Sequence, residues 1–183
     1  MILQTIVENK KEEVARQKKI LPLAELRQLL ADRPPTRDFS SAIRGRDCAV
    51  IAEVKRSSPS KGRIRGEFDP VAIARTYEEN GAAAVSVLTE RKFFEGRAAY
   101  VPQIGKAVSL PILRKDFIVD PYQIVETRVL GGDALLLIAR VLKRGDCSTS
   151  SGSPRSWGSR PSWRSTTRTT WERQLRRERG SWE

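Results

Sequence analysis

The hydrophobic positions in the first part of the chain follow two spacings, one typical of helices and one typical of buried strands. Residues 2–17 place isoleucine and valine at helical spacing among charged residues, which predicts a helix. Residues 22–30 carry leucines on one helical face and predict a second helix, which ends before the prolines of residues 33–35.

Further along, apolar segments that predict strands alternate with segments that predict helices. The predicted strands are residues 49–56, 82–90, 111–117 and 134–142. The predicted helices between them are residues 70–80, 98–107 and 121–130. Asp69 is the expected N-cap of the first of these helices, because aspartate is favoured there and proline is favoured at the next position.

Alternation of strand and helix at roughly 25 to 30 residues per unit indicates parallel strands joined by crossover helices, and therefore an α/β fold. The nearly continuous apolar character of the strands predicts a sheet covered on both faces. Four units are too few for a closed eight-stranded barrel, which usually needs about 250 residues. The pattern alone is compatible with a small open sheet or with half of a barrel.

The composition changes abruptly near residues 143–145. Residues 144–183 contain nine arginines and four acidic residues, all four tryptophans, and no lysine, alanine, valine, isoleucine or phenylalanine. Such a segment has too little aliphatic side chain to build a core. We therefore expect an N-terminal helical extension (residues 1–46), an α/β unit (47–143) and a non-native or disordered tail (144–183).

Charge and cysteine content exclude several classes of function. The 183 residues include 34 Lys and Arg against 22 Asp and Glu, a formal net charge of +12, and no histidine. Histidine-dependent catalytic units and histidine-ligated metals are thus excluded. Cys48 and Cys147 are too few for a zinc cage or a disulfide framework and favour a reducing, cytoplasmic setting. The longest apolar run, residues 134–139, is far shorter than the roughly 20 residues of a membrane span, and no secretion signal is expected at the N-terminus.

Charged residues inside the predicted strands are the main candidates for chemistry. Glu53 and Lys55 share one face of the first strand, and Lys115 lies late in the third. The carboxyl ends of parallel strands are where α/β enzymes build their active sites. A structural ion pair of Glu53 with Lys55, and a solvated Lys115, would explain each residue separately. Because three such residues occur on two strands, we favour an active site.

Two further segments fit either a binding site or an ordinary structural role. Residues 57–62 (SSPSKG) combine hydroxyl groups, a glycine and nearby basic residues, which suit a phosphate but are also typical of loops. Phe93 and Phe94 could line a pocket or pack in the core.

Four of these segments together resemble the indole-3-glycerol phosphate synthase family. They are residues 51–60 (IAEVKRSSPS), 87–90 (VLTE) with Phe93 and Phe94, 111–119 (PILRKDFIV) and 133–139 (DALLLIA). The resemblance covers residues 1–142 and includes the helical extension.

The resemblance implies a (β/α)8 TIM barrel, of which residues 47–143 would be the first four β/α units. The family converts 1-(2-carboxyphenylamino)-1-deoxyribulose 5-phosphate to indole-3-glycerol phosphate with loss of CO2 and water, a carboxy-lyase step of tryptophan biosynthesis. The resemblance implies that the reaction uses no metal and no organic cofactor. It further implies a small phosphorylated substrate as the partner, no membrane or specific nucleic acid as a partner, and a cytoplasmic location. An intact member would be a monomer or would be fused to other tryptophan-pathway domains.

The resemblance also implies roles for individual residues. Lys115 would be the general acid that activates the sugar carbonyl, Lys55 would bind the substrate carboxylate and take part in proton transfer, and Glu53 would orient the substrate and assist the later dehydration. The implied substrate-binding residues are Ser58 at the phosphate, and Phe94, Phe117 and Leu136 around the aromatic ring.

The resemblance ends where the composition changes, and the genetic code offers an explanation. The family requires a glutamate on a fifth strand, an asparagine on a sixth and phosphate-binding backbone after the seventh and eighth, and residues 144–183 show none of these. Suppose that the correct codons of this segment start one base earlier. Each Trp codon, TGG, then supplies the last two bases of a codon ending in TG, which encodes Leu, Val or Met. Residues 162–171 then permit LVEVHDEDDL, which resembles the fifth strand and places a glutamate at the position of Arg164. We favour a frame shift near residue 143 over a genuine basic tail.

Two other hypotheses remain open. A net charge of +12 and an Arg- and Trp-rich tail are compatible with a basic nucleic-acid-binding protein. A half-barrel could also dimerise into a complete barrel. For the chain as written we expect a loose or poorly soluble fold and no synthase activity, because the fifth-strand glutamate is missing and the fourth strand leaves an unpaired edge.

Overall fold

The structure, a computed structural model, describes residues 2–141 except Gly45, Arg65 and Ala139. The helices within these residues are α1 (Ile2–Ile20), α2 (Leu23–Gln28), α3 (Phe39–Ile43), α4 (Pro70–Glu79), α5 (Tyr100–Gly105) and α6 (Tyr122–Leu130). The strands are β1 (Ile51–Val54), β2 (Ser57–Ser58), β3 (Gly62–Arg63), β4 (Ala84–Leu88), β5 (Ile112–Lys115) and β6 (Ala134–Leu135).

The main sheet is parallel, and its strands lie in the order of the chain. β1 pairs with β4, β4 with β5 and β5 with β6, and the connections contain α4, α5 and α6 in turn. β2 and β3 form a separate antiparallel hairpin shortly after β1. The prediction of an α/β fold with four parallel strands is confirmed.

The expected N-cap of α4 is present, and glycines follow α4 and α6. The Asp69 side chain accepts hydrogen bonds from the backbone N–H groups of Val71 and Ala72, at 2.9 and 3.1 Å, and is therefore the N-cap of α4. Gly81 and Gly131 follow α4 and α6 with φ angles of 77° and 91°, a backbone conformation that favours glycine. These boundaries follow from the sequence itself.

Apolar side chains between the sheet and its helices form the larger core cluster. Its buried members are Val54, Ala74, Val85, Val87, Val101, Ile104, Val108 and Ile112. A second cluster joins α1 and α2 to α6 through Val14, Leu26, Tyr122, Val125 and Val129. The N-terminal helices are therefore packed onto the layer of helices that covers the sheet.

The first and fourth strands of the sheet are shorter and more exposed than the sequence predicts. β1 covers four residues instead of residues 49–56, and Val50 and Ile51 are 55% and 41% exposed. Within the described residues β1 has a strand neighbour, β4, on one side only, so its other side lacks cover. β6 covers two half-buried residues, and Ala139 and the residues from 142 onward lie outside the described ones. The sheet predicted to be covered on both faces is therefore only partly covered at its two outer strands.

The hydrophobic pattern does not predict the short helix α3. Its N-cap is Asp38, whose carboxylate accepts the backbone N–H of Ser41 at 2.9 Å and its hydroxyl at 2.7 Å. A single helical turn carries too few residues for periodicity to be recognised. The cap, rather than an apolar stripe, was the signal available in the sequence.

The predicted tail, residues 144–183, lies outside the described residues, and so does Cys147. Cys48 is described, and it is exposed. Among the described helices, none combines the length and the apolar character required to cross a bilayer.

Candidate active site

One carboxylate and two ammonium groups converge at the carboxyl ends of β1 and β5. Lys55 Nζ lies 2.7 Å from Glu53 Oε1, and Lys115 Nζ lies 3.9 Å from Glu53 Oε2. Strand alternation places Glu53 and Lys115 on the face of the sheet opposite the core residue Val54. Each of the three charged side chains is 28–37% exposed and therefore accessible to a small molecule. The structure thus brings together the three residues predicted to be catalytic.

The ion pairs between these three side chains contribute little to the stability of the fold. Ion pairs that retain contact with water contribute about 0 to 1 kcal/mol, because solvent screens their attraction. The Glu53–Lys55 pair retains such contact on both sides, and Lys115 approaches the same carboxylate more distantly. The geometry therefore favours a chemical role over a structural ion pair.

A buried hydroxyl group lies beside this cluster and is not predicted by the sequence analysis. Ser86 on β4 pairs in register with Glu53 and with Leu113, on the same face of the sheet. Its Oγ is buried and has no hydrogen-bond partner among the described residues. Buried hydroxyl groups are normally hydrogen-bonded, so Ser86 belongs among the site candidates. The available sequence signal is one serine within the apolar strand AVSVL.

The serine-rich segment after β1 is folded into the β2–β3 hairpin rather than an open loop. The Lys61 N–H donates to Ser58 Oγ at 3.3 Å, and Ser58 itself is buried. Arg56 and Arg63 approach the Glu95 carboxylate to 3.4 and 3.2 Å. The predicted phosphate ligand Ser58 therefore lies in a fixed turn, and the arginines on either side of it in the chain pair with Glu95.

Two aromatic side chains approach each other after the carboxyl ends of β4 and β5. The ring centroids of Phe94, after β4, and Phe117, after β5, are 6.3 Å apart with an interplanar angle of 38°. Phe93 instead lies under the ammonium group of Lys92, 5.6 Å from its ring centroid. Leu136 follows β6 and is half-buried, and its N–H pairs with the strand backbone of β5. Of the two adjacent phenylalanines, Phe94 is the one that pairs with Phe117.

Behind the site, on the opposite face of β5, lies a buried cluster of charged residues that the sequence analysis misses. Asp116 accepts hydrogen bonds from the Thr89 hydroxyl at 2.6 Å and the Phe117 N–H at 2.8 Å. It also pairs with Lys10 of α1 at 3.0 Å and with Arg114 at 3.2 Å. Burial raises the pKa of the Asp116 carboxyl, but the charges of Arg114 and Lys10 outweigh this effect and hold that pKa below its usual value.

Lys10 and Arg114 have several partners each, so their burial is compensated. Lys10 is 2% exposed and also pairs with Glu13 at 2.8 Å. Burial lowers the pKa of Lys10, but Asp116 and Glu13 overcome this and raise it above its usual value. Arg114 donates to Glu126 at 2.7 Å. The sequence signal for this cluster is that Arg114 and Asp116 alternate with Lys115 along β5. Because side chains alternate along a strand, Arg114 and Asp116 lie on the face opposite Lys115.

A second buried carboxylate lies at the end of β4. Glu90 is fully buried and accepts the backbone N–H groups of Lys92, Phe93 and Phe94 at 3.1, 2.7 and 3.1 Å. The residue is part of the VLTE segment that carries the resemblance, but the sequence analysis assigns it no role. It connects the end of the strand to the loop that bears Phe94.

A parallel α/β sheet with cationic and carboxylate side chains at its carboxyl ends is the arrangement of (β/α) barrel enzymes. The family model of indole-3-glycerol phosphate synthase matches residues 3–159, which is more than half of the chain. The chain therefore belongs to the indole-3-glycerol phosphate synthase family, whose fold is a TIM barrel.

Curated relatives with this name are similar to the chain over most of its described part. The indole-3-glycerol phosphate synthase of Rhodopirellula baltica is 51% identical over 142 residues, which is 77% of this chain and 55% of that protein. That of Caldanaerobacter subterraneus subsp. tengcongensis is 49% identical over 143 residues, 78% of this chain and 55% of the relative. The chain thus spans about half the length of the curated relatives it matches.

The family predicted from sequence is confirmed by these matches. They give no support to the alternative hypothesis of a nucleic-acid-binding protein. The tail on which that hypothesis depends lies outside the described residues.

Proposed function

We propose that this chain carries the first half of an indole-3-glycerol phosphate synthase active site. The complete site would convert 1-(2-carboxyphenylamino)-1-deoxyribulose 5-phosphate to indole-3-glycerol phosphate, CO2 and water, in tryptophan biosynthesis. The observation that carries the proposal is the convergence of Lys55 and Lys115 on Glu53 at the carboxyl ends of two parallel strands. The names of the two relatives support the same activity.

The charged cluster supplies the groups that this reaction needs. Lys115 would donate a proton to the sugar carbonyl oxygen as the aromatic ring carbon attacks the carbonyl carbon and closes the new ring. Lys55 would hold the carboxylate that leaves as CO2, which restores the aromatic ring. Glu53, between the two ammonium groups, would orient them and assist the loss of the hydroxyl group as water.

The surrounding residues match the other parts of the substrate. Phe94 and Phe117 offer apolar ring faces for the carboxyphenyl group, with Leu136 at the end of the next strand. The Ser58 turn belongs to a hairpin that Arg56 precedes and Arg63 ends, and this basic segment suits the anionic phosphate. The proposed reaction needs no metal or organic cofactor, since lysine and glutamate perform the proton transfers.

The proposal includes the organisation and setting of the protein. Residues 1–46 would be the helical extension, 47–143 the first four β/α units, and 144–183 an out-of-frame tail. We further propose a cytoplasmic enzyme whose partner is a small phosphorylated molecule, and whose intact form is a monomer or a domain of a larger tryptophan-pathway protein. The chain as written would lack turnover, because residues 144–183 do not supply the fifth-strand glutamate.

The function is tested by completing the barrel. Residues 144–183 are replaced by the C-terminal half of the Rhodopirellula baltica relative, and formation of the indole product is followed by fluorescence. We expect turnover from the completed protein and none from the chain as written. Lys115→Met in the completed protein should reduce kcat by roughly a hundredfold or more, as loss of a general acid does.

The matched control is Lys106→Met, which removes an exposed lysine that follows α5. It should leave kcat and KM within about twofold of the completed protein, as expected for a surface change. A completed, folded protein in which Lys115→Met and Lys106→Met are equally active would contradict the assignment.

A further inference from the structure

Glu90 is a buried carboxylate for which the proposed reaction has no use. It follows β4 and is completely buried. Among the described residues, no lysine or arginine nitrogen forms an ion pair with it. Its oxygens are instead satisfied by backbone amides, Oε1 by Lys92 and Oε2 by Phe93 and Phe94. Three amides that converge on one carboxylate compensate its charge without a cation.

The loop around Glu90 is closed tightly by its own backbone. The Glu90 carbonyl accepts the N–H of Gly96 at 2.7 Å, and Glu95 has a positive φ of 53°. A Cβ atom at Gly96 would lie 2.5 Å from the carbonyl oxygen of Leu88, so the strand end leaves room for glycine only. The loop therefore has little freedom once the Glu90 side chain is in place.

We propose that Glu90 is the positioning residue for Phe94, and that it sets this ring against Phe117 in the pocket for the aromatic part of the substrate. The inference rests on the proposed function, since that function defines the pocket. Glu90 accepts the backbone N–H of Phe94, and the Phe94 ring lies 6.3 Å from that of Phe117. Asp116 accepts the backbone N–H of Phe117 in the same manner, so each of the two rings follows a backbone amide that is held by a carboxylate of its own strand end.

Glu90→Gln changes the number of acceptors while it keeps the size of the side chain. The amide has one oxygen, and its NH2 group would face an N–H donor of the loop. The backbone of Phe94 should therefore move, and with it the ring. Glu90→Asp is a second variant, because it keeps the charge but is too short to reach all three amides.

The position of the rings is measured by fluorine NMR of the full chain labelled with 4-fluorophenylalanine. The chain has five phenylalanines, and the Phe94 and Phe117 signals are assigned by their loss in Phe94→Leu and Phe117→Leu. We expect Glu90→Gln and Glu90→Asp to shift the signals of Phe94 and Phe117 and to leave those of Phe39 and Phe68 in place.

The matched control is Glu78→Gln. Glu78 also holds a backbone amide, the Ser109 N–H at 2.7 Å, but it does so near the start of β5, away from the pocket. This variant should leave the Phe94 signal unchanged. An unchanged Phe94 signal in both folded Glu90 variants would overturn the inference.

A second measurement asks whether Glu90 acts on binding through Phe94. Anthranilate, which is fluorescent and carries the carboxyphenylamino group, is titrated into the full chain and its variants. We expect Glu90→Gln and Phe94→Leu each to weaken binding by roughly tenfold, the effect of losing one good contact. The double variant should bind no more weakly than Phe94→Leu, because Glu90 has nothing left to position.

The outcomes separate the two proposals. Independent, multiplying losses in the double variant would overturn the positioning role, since Glu90 would then act by another route. If the fluorine signals shift as expected but no form of the chain binds anthranilate, the positioning of Phe94 stands. The role of Phe94 and Phe117 as a pocket for the aromatic ring is then contradicted, whereas the proposed function is decided by turnover of the completed protein.

Discussion

Neighbouring residues at the end of β5 serve different parts of the molecule. Lys115 and Phe117 lie on the side of the candidate site, whereas Arg114 and Asp116 lie in the buried charged cluster beneath the helices. Because side chains alternate along a strand, one short segment both presents the site and anchors it. A buried ion pair is costly to break, so the anchor is the part most sensitive to substitution.

Removal of the buried ammonium group of α1 should destabilise the fold strongly. Lys10→Met leaves Asp116 and Glu13 without one of their partners, and we expect a loss of about 3 kcal/mol in the free energy of unfolding. Urea denaturation measures it. Arg16→Met on the same helix removes an exposed pair with Glu12 and should cost less than about 0.5 kcal/mol. If both substitutions lower the free energy of unfolding equally, the buried ion pairs of Lys10 stabilise the fold no more than the exposed pair does.

Asp116 should make the protein sensitive to acid. Its pKa is lower in the folded chain than its usual 3.8, so the stabilisation is present above that value and is lost as the pH falls through the folded pKa. Thermal unfolding measured from about pH 6 down to about pH 3 should show a falling Tm. Asp116→Asn should be less stable at neutral pH but should show a flatter decline in acid. If Tm falls equally steeply with pH in the unaltered chain and in Asp116→Asn, Asp116 is not a source of the acid sensitivity.

At the scale of elements, the segment between α2 and β1 joins the helical extension to the start of the sheet. Arg37 donates to the carbonyl oxygens of Gly105 and Leu110, both at 2.7 Å, and its backbone N–H donates to Asp133 at 2.8 Å. The same Asp133 side chain accepts the N–H of Ile112. One arginine and one aspartate therefore connect α5, β5 and β6 at the end of the sheet opposite the site.

Loss of this connection should lower stability without touching the site. Arg37→Met leaves two buried or half-buried carbonyl groups without donors, and we expect a cost of about 2 kcal/mol in the free energy of unfolding. Arg46→Met is the control, because Arg46 makes one exposed hydrogen bond of 3.5 Å to Gly81 and should cost almost nothing. Anthranilate affinity of folded Arg37→Met should equal that of the unaltered chain. A large loss of affinity would place Arg37 within the site instead.

At the scale of the whole molecule, the described sheet has an open side. The start of β1 exposes Val50 and Ile51, and the chain spans about half the length of its curated relatives. In a barrel, the first strand is covered by the last, so this exposure fits a sheet that lacks its closing partner. An out-of-frame segment at residues 144–183 would explain this exposure, because the strands that close the barrel would then be missing from the sequence.

The frame shift is tested directly in the DNA. Codons 138–150 should be sequenced at high depth from the source DNA. Either the DNA has one base more or fewer here than this protein sequence requires, or it encodes the sequence as written and the gene itself carries the shift. The first result would extend the family resemblance beyond residue 143, and the second would show that the resemblance ends there in the gene itself. If no reading frame of the DNA for residues 144–183 encodes a sequence similar to the family, the frame-shift interpretation is contradicted.

The sequence by itself determined the order of the four parallel strands and of the helices between them, the Asp69 cap, and the placement of Glu53, Lys55 and Lys115 at the carboxyl ends of strands. These features depend on neighbours a few positions away, or on the alternation of side chains along one strand, and such information is local. It overestimated the burial of β1 and β6, since the cover of an outer strand depends on what lies beside it. Only the tertiary structure decided the contacts of Lys10, Arg37 and Glu90. Each appears in sequence as an ordinary charged residue, and its partners are groups that only the folded chain brings within hydrogen-bonding distance.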